Sequence, residues 1–283
     1  MAVTEGAGRL IGGRYRLVRK LGSGGMGAVW AGRDEVLERD VAIKEVTLPP
    51  GLSGEQRAVL RQRTLREARA AARISTDCAV TVFDVVEEDE RPWLVMELLA
   101  PRTLSDVLRE EGPLPPPRAA AIGLRVLAAL SAAHAAGVLH RDVKPGNVLF
   151  DSAGRAVLTD FGIASLEGDS SLTMTGTLIG SPGFLAPERA RGIAPSPASD
   201  LWALGVTLFA AVAGRSPFER ESPMATLAAV LEQTLEPPPS AGPLAPVLAG
   251  LLRKEPEQRM TAAEARAGLE AAARNDGPTT VLP

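Results

Sequence analysis

Eight residues near the middle of the chain, His140-Arg141-Asp142-Val143-Lys144-Pro145-Gly146-Asn147, hold a carboxylate, an ammonium and a carboxamide within a few positions of one another. A carboxylate at Asp142 can orient an attacking hydroxyl and accept its proton, while Lys144 can offset charge on a group in transfer. Downstream, Asp160 in Asp160-Phe161-Gly162 offers oxygen ligands of the kind a hard cation prefers. Upstream, Lys44 stands in the apolar run Val41-Ala42-Ile43, where a cation is costly without a permanent anion. Gly22-Ser23-Gly24-Gly25-Met26-Gly27 lacks bulky side chains at its glycines, so its backbone N–H groups can approach phosphate oxygens. The chemistry these groups share is the gripping of a metal-bound polyphosphate and the movement of a phosphoryl group.

Taken singly, several of these signals are weak. Three glycines at this spacing arise by chance in about 0.3 windows of a chain this rich in glycine, so context decides their meaning. A dinucleotide-binding loop would lead from a strand into a helix, whereas the residues after Gly27 return to strand spacing and reach Lys44, which places the loop in a hairpin. Lys44 needs an anionic partner, and Glu67 is placed on a long helix where it can reach the lysine. Because Arg63 and Glu67 are four residues apart, an exposed pair within the helix competes with that assignment.

The elements that must position these groups are legible from periodicity. From Arg14 to Val46 short apolar runs alternate with glycine-rich or charged turns, the signature of an antiparallel sheet. Ser53 with Gln56 three residues later forms a capping-box start for a helix running to about Ile74. Strand-like runs follow at Val80 to Val86 and Trp93 to Leu98. Helical patterns dominate beyond Thr103, notably Arg118 to Ala136 and Asp200 to Ala213, with a short strand pair at Val148 to Phe150 and Ala156 to Leu158. The reading is an α+β fold of two lobes: a lead at 1–13, a small lobe at 14–99 with a five-stranded antiparallel sheet and one long helix, a mainly helical large lobe at 100–274, and a tail or linker at 275–283.

Composition fits such a domain. Of 283 residues, 45% are hydrophobic and 23% charged, and the formal charge of -3 provides no basic excess for nucleic acid. The single cysteine, Cys78, cannot form an internal disulfide, which agrees with a reducing, cytoplasmic setting and reads as a small buried apolar residue. The amino terminus lacks the apolar core of a secretory signal, and the longest uncharged apolar stretch, Leu201 to Gly214, is shorter than the roughly 18 residues a membrane helix needs. Membrane anchoring is expected only if a parent chain continues beyond Pro283.

From Arg14 to about Gly268 the sequence resembles the bacterial Hanks-type (eukaryotic-like) serine/threonine protein kinases. The resemblance is carried by the glycine-rich loop, Val41-Ala42-Ile43-Lys44, His140 to Asn147, Asp160-Phe161-Gly162, Ala186-Pro187-Glu188 and Asp200-Leu201-Trp202-Ala203-Leu204-Gly205. Five fixed identities between His140 and Asn147 have a chance expectation of about 10⁻⁴, so coincidence explains them poorly. The resemblance implies transfer of the γ-phosphoryl group of ATP to Ser/Thr hydroxyls of proteins. Catalytic groups would be Asp142, Lys144, Lys44 and Glu67, with Asn147 and Asp160 as ligands of Mg²⁺, or Mn²⁺ in its place. ATP would lie against Leu21, Gly22, Ser23, Gly24, Gly25, Met26, Gly27, Val29, Ala42, Lys44 and Leu149, with Met96 guarding a back pocket and Glu97 and Leu99 offering backbone to adenine. His140 and Phe161 would pack internally.

The same resemblance assigns structural roles to Glu188 paired with Arg259, to Asp200 anchoring the catalytic loop backbone, and to Ser181, whose hydroxyl can contact Asp142 and Lys144. Arg141 would receive a phosphate from autophosphorylation of the hydroxyl-rich segment before Glu188, with Thr173 and Thr175 the candidates. Partners would be ATP, Ser/Thr proteins, the chain itself as substrate, and a second copy through the small lobe. Two departures are notable: Thr76-Asp77 replaces a His-Pro pair common after the long helix, which leaves the anchoring of that helix open, and Ser181 stands where the family has the threonine of a substrate-facing Gly-Thr segment, which keeps a hydroxyl. A nucleotide-binding scaffold without transfer would lack Lys44, Asp142 or Asp160, and all three are present. Against a small-molecule phosphotransferase stand Lys144, Ala186 to Glu188 and Arg259.

Overall fold

The computed structural model describes residues 6–24, 27–48, 51–162 and 181–274. Alternation of apolar and polar residues builds a six-stranded antiparallel sheet from β1 (Leu10–Ile11), β2 (Tyr15–Gly24), β3 (Gly27–Asp34), β4 (Arg39–Glu45), β5 (Val82–Glu88) and β6 (Arg91–Met96), in the order β1-β2-β3-β4-β6-β5. Because successive side chains point to opposite faces, Val41 and Ile43 pack with Trp30, Trp93 and Val95 on the outer face. Ala42, Leu94 and Met96 pack on the inner face, in a core that continues through the helical lobe.

The sixth strand is the difference from the sequence expectation of five. Ile11 is fully buried, and Gly12 and Gly13 both take left-handed backbone to turn the chain into β2. The amide of Gly8 donates to the carbonyl of Leu17, and that of Leu17 to the carbonyl of Arg9. Residues assigned to a lead therefore belong to the sheet; two apolar residues beside glycines are too short a run to register as a strand.

Helix α1 (Gly54–Ala71) starts where Ser53 accepts from the amide of Gln56 while the Gln56 side chain accepts from the amide of Ser53. Thr64, Leu65, Ala68 and Ala71 form its buried face. Beyond β6, α2 (Leu104–Glu111) opens on a capping box between Thr103 and Asp106. The rest of the lobe comprises α3 (Pro116–Ala135), β7 (Val148–Phe150), β8 (Ala156–Leu158), α4 (Pro187–Ala190), α5 (Pro197–Ala213), α6 (Pro223–Glu232), α7 (Ala245–Leu251) and α8 (Ala262–Arg274). Every residue of α5 from Ser199 to Val212 is buried, which makes this apolar stretch the centre of the lobe. Among the described residues no helix is long and apolar enough to cross a membrane.

The departure at Thr76-Asp77 finds its physical account here. Arg125 of α3 donates from Nη2 to the backbone carbonyl of Asp77 at 2.5 Å and from Nε to that of Ala156 at 2.7 Å. The amide of Val80 donates to Leu158, and that of Leu158 to Cys78. The linker after α1 is thus stitched into β8 of the large lobe, two residues before Asp160.

Candidate active site

Register and turns bring the candidate groups together. Lys44 lies on β4 opposite Val29 of β3 and Leu94 of β6, with Ala42 opposite Met96. Gly27 approaches so closely that an added Cβ would lie 2.0 Å from the carbonyl oxygen of Glu45, at a φ of +122°, so only glycine fits. Lys44 is buried, and its Nζ donates to Oδ1 of Asp160 at 2.5 Å. Burial alone would raise the Asp160 carboxyl, but the adjoining Lys44 ammonium holds it below its ordinary value.

Asp160 has left-handed backbone, φ +62°, and so does Arg141, φ +66°. Non-glycine residues hold this conformation only where surrounding contacts impose it. For Arg141 those contacts come from Asp200, buried in α5, whose two oxygens accept the amides of His140 at 2.9 Å and Arg141 at 2.8 Å. His140 is fully buried, donates from Nε2 to the carbonyl of Thr159 at 2.7 Å and accepts at Nδ1 from the amide of Asp142 at 3.2 Å. Burial pushes its imidazole down, keeping it neutral for both bonds. Its ring rests 4.7 Å from that of Phe161.

Asp142 sits at the centre of the loop. Its Oδ2 accepts from Lys144 Nζ at 2.8 Å and from Asn147 Nδ2 at 3.0 Å, and Asn147 Nδ2 also reaches the Asp142 carbonyl at 2.7 Å. The amide of Thr159 donates to the carbonyl of Asn147 at 2.9 Å and that of Gly162 to His140 at 3.0 Å, which ties this loop to the segment bearing Asp160. A small, mainly apolar pocket adjoins the Lys44–Asp160 pair, lined by Lys44, Asp160, Phe161, Leu94, Met96 and Ala71.

Comparison with known proteins agrees with this arrangement. The protein kinase domain family matches residues 15–268. The chain belongs to that family. A probable serine/threonine-protein kinase of Corynebacterium efficiens is 38% identical over 94% of this chain and 42% of its own length. The serine/threonine-protein kinase PksC of Streptomyces coelicolor is 40% identical over 92% of this chain and 49% of its own. PrkC of Bacillus subtilis, also named a serine/threonine-protein kinase, is 38% identical over 76% and 33%. This kinase domain therefore spans half or less of the length of these curated relatives. The family implies ATP as the phosphoryl donor, divalent metal as its companion, and protein substrates.

Two expected contacts of the kinase domain are absent. Glu67 does not pair with Lys44: its Oε1 accepts from Arg141 Nη1 at 3.1 Å and from Arg63 Nε at 3.3 Å, while Asp160 takes the lysine. The competing pair within the helix is present, joined by Arg141. Glu67 Oε2 and Arg141 Nε are buried beside it without a hydrogen-bond partner among the described residues. Ser181 is exposed, and its hydroxyl makes no hydrogen bond with Asp142 or Lys144.

The remaining candidates are placed as follows. Arg259 grips Glu188 with Nη1 at 2.9 Å and Nη2 at 3.0 Å, and Ser199 donates to the same carboxylate at 2.8 Å. Burial would raise the Glu188 carboxyl, yet the Arg259 guanidinium holds it below the ordinary glutamate value. Leu21, Val29, Glu97, Leu99 and Leu149 are half-buried, Gly22 and Ser23 exposed, and Gly24 ends β2. Gly25, Met26, Thr173 and Thr175 lie outside the described residues. One residue escaped the sequence reading: His134, at the end of α3, is bonded to Asp200. Only its spacing from the catalytic loop could have flagged it.

Proposed function

We propose that this chain transfers the γ-phosphoryl group of Mg-ATP to serine and threonine hydroxyls of proteins. The observation that carries the reading is the single bonded unit formed by Asp142, Lys144 and Asn147, joined through Thr159 to the segment in which Asp160 meets Lys44. Asp142 orients the acceptor hydroxyl and takes its proton; Lys144, already on that carboxylate, stabilises the charge that develops on the phosphoryl group. Lys44 binds the phosphates when it leaves Asp160.

The donor set fits a divalent cation. Asn147 spends its amide nitrogen on Asp142, leaving the amide oxygen, and Asp160 spends Oδ1 on Lys44, leaving Oδ2. Among the described residues no cluster of three or more His, Cys, Asp or Glu forms a protein-only cage, which suits Mg²⁺, or Mn²⁺, completed by phosphate and water oxygens. Such an ion would neutralise phosphate charge. The test is transfer to a generic protein substrate by wild type and Asp142→Asn. Transfer to serine or threonine that falls by roughly 10²- to 10⁴-fold in the variant is expected, and equal rates would remove Asp142 from its role.

Autophosphorylation on Thr173 or Thr175 belongs to the same reading. Glu67 Oε1 lies between Arg63 and Arg141, two guanidinium groups facing one anion. A phosphate has the charge and oxygens to replace it, releasing Glu67 for Lys44. Phosphopeptide mapping showing both threonines unmodified in active protein would reject those positions. A homodimer is the partner we assign to the exposed Val18, Val36 and Leu37 of the small lobe, and a monomer in sedimentation at high concentration would remove it. A cytoplasmic location is supported by the free, buried Cys78.

A further inference from the structure

Helix α1 is charged unevenly around its circumference. Thr64, Leu65, Ala68 and Ala71 bury one side, while on the flanks Arg61 pairs with Glu87 at 3.2 Å and Arg63 with Glu67 at 3.3 Å. The opposite side holds Val59, Gln62, Arg66 and Arg69, spaced three and four residues apart, and all four are exposed. Arg73, also exposed, continues the row in the turn beyond the helix, where its amide donates to the carbonyl of Ala70 at 3.0 Å. No acidic residue stands in this row after Glu55. Among the described residues Arg66, Arg69 and Arg73 have no ion pair and no side-chain hydrogen bond.

This arrangement weakens the helix, and no contact in the fold offsets it. Like charges three and four residues apart repel, as Arg66 does Arg69 and Arg69 does Arg73. Attraction to the negative end of the helix dipole compensates only within the last turn, which leaves Arg66 out. The chain carries a formal charge of -3, so the row is not one part of a generally basic surface. We propose that the outer face of α1 is a docking surface for an acidic segment of a partner protein. The three arginines span about 10 Å of helix, the reach of a few carboxylates on an extended or helical peptide. Val59, 66% exposed, lies two turns before Arg66 on the same face and gives such a segment one apolar contact beside its charges. Three cations on a net-negative chain are too few to hold duplex nucleic acid, and one valine is too little to enter a membrane.

The surface lies outside the groups assigned to phosphoryl transfer, so its test is independent of that reading. The probe is a short fluorescent peptide with a run of aspartate and glutamate beside one leucine, followed by anisotropy. Wild type should bind it, and raising salt from about 50 to about 300 mM should weaken binding severalfold. Arg66→Gln/Arg69→Gln/Arg73→Gln should bind about tenfold more weakly, since exposed ion pairs are individually small and add over three. A control with the same charge change at exposed arginines elsewhere, Arg253→Gln/Arg266→Gln/Arg274→Gln, should stay within about twofold of wild type. Melting temperature and transfer to a generic protein substrate should match wild type in both variants, which separates lost docking from lost folding. Arg66→Glu/Arg69→Glu/Arg73→Glu should reject the acidic peptide and take up its lysine counterpart. No binding by wild type, equal affinity of wild type and the first variant, or equal losses in that variant and the control would overturn the surface. Tighter binding of anionic vesicles or duplex DNA than of the peptide would overturn its occupant. A wild type that transfers nothing would defeat the kinase reading and leave the peptide measurement standing.

Discussion

Arg141 serves two anions in turn if Glu67 is displaced by phosphate, so its substitution separates basal from stimulated activity. In Arg141→Ala the guanidinium that holds Glu67 away from Lys44 is gone, and basal transfer should match or exceed wild type. Preincubation with Mg-ATP should then raise wild-type transfer about tenfold while leaving the variant unchanged. Equal stimulation of both, measured as initial rates before and after preincubation, would show that Arg141 receives no phosphate. At this scale the bonded group of Asp142, Lys144 and Asn147 was legible in the sequence because the three lie within one short segment, where spacing fixes geometry. The partner of Lys44 was not. Whether Glu67 or Asp160 takes the lysine depends on how α1 sits against the loop that bears Arg141, and spacing along the chain does not encode that.

Glu188, between the catalytic segment and α5, illustrates the element scale. Removing Arg259 strands a buried carboxylate, so Arg259→Ala should lose about 3–5 kcal/mol in urea denaturation. The sign with pH follows from the lowered Glu188 value. Its stabilisation is complete above the unfolded glutamate pKa of about 4.3 and is lost as pH falls through the lower folded value, so wild type should weaken in acid below that point. Arg259→Ala should be flatter across the same range; a parallel acid slope would mean that the pair contributes nothing there. The linker after α1 offers a second contrast. Arg125→Ala removes donors to two backbone carbonyls and should destabilise by about 1–3 kcal/mol, whereas Asp77→Ala should stay within about 0.5 kcal/mol because its carboxylate is 61% exposed. Equal losses in the two would contradict that division. Most elements were legible, since Ser53 with Gln56 and the alternation around Val41 and Ile43 act locally. Strand β1 was not, because Leu10 and Ile11 become a strand only through their bonds to β2.

Across the whole molecule, the change from period-two to helical patterning near Thr103 made two lobes legible, but their joint did not show. It consists of main-chain bonds between residues 78–80 and Leu158, and backbone amides look alike in every sequence. That joint ties the segment that follows α1 to the strand that delivers Asp160. The measurement that bears most directly on this is a crystal structure with a non-hydrolysable ATP analogue and Mg²⁺. The expected result has the phosphates between Lys44 and the metal held by Asp160 and Asn147, with the terminal phosphate facing Asp142 and Glu67 moved from Arg141 to Lys44. A nucleotide bound elsewhere, or one whose terminal phosphate faces away from Asp142, would contradict it.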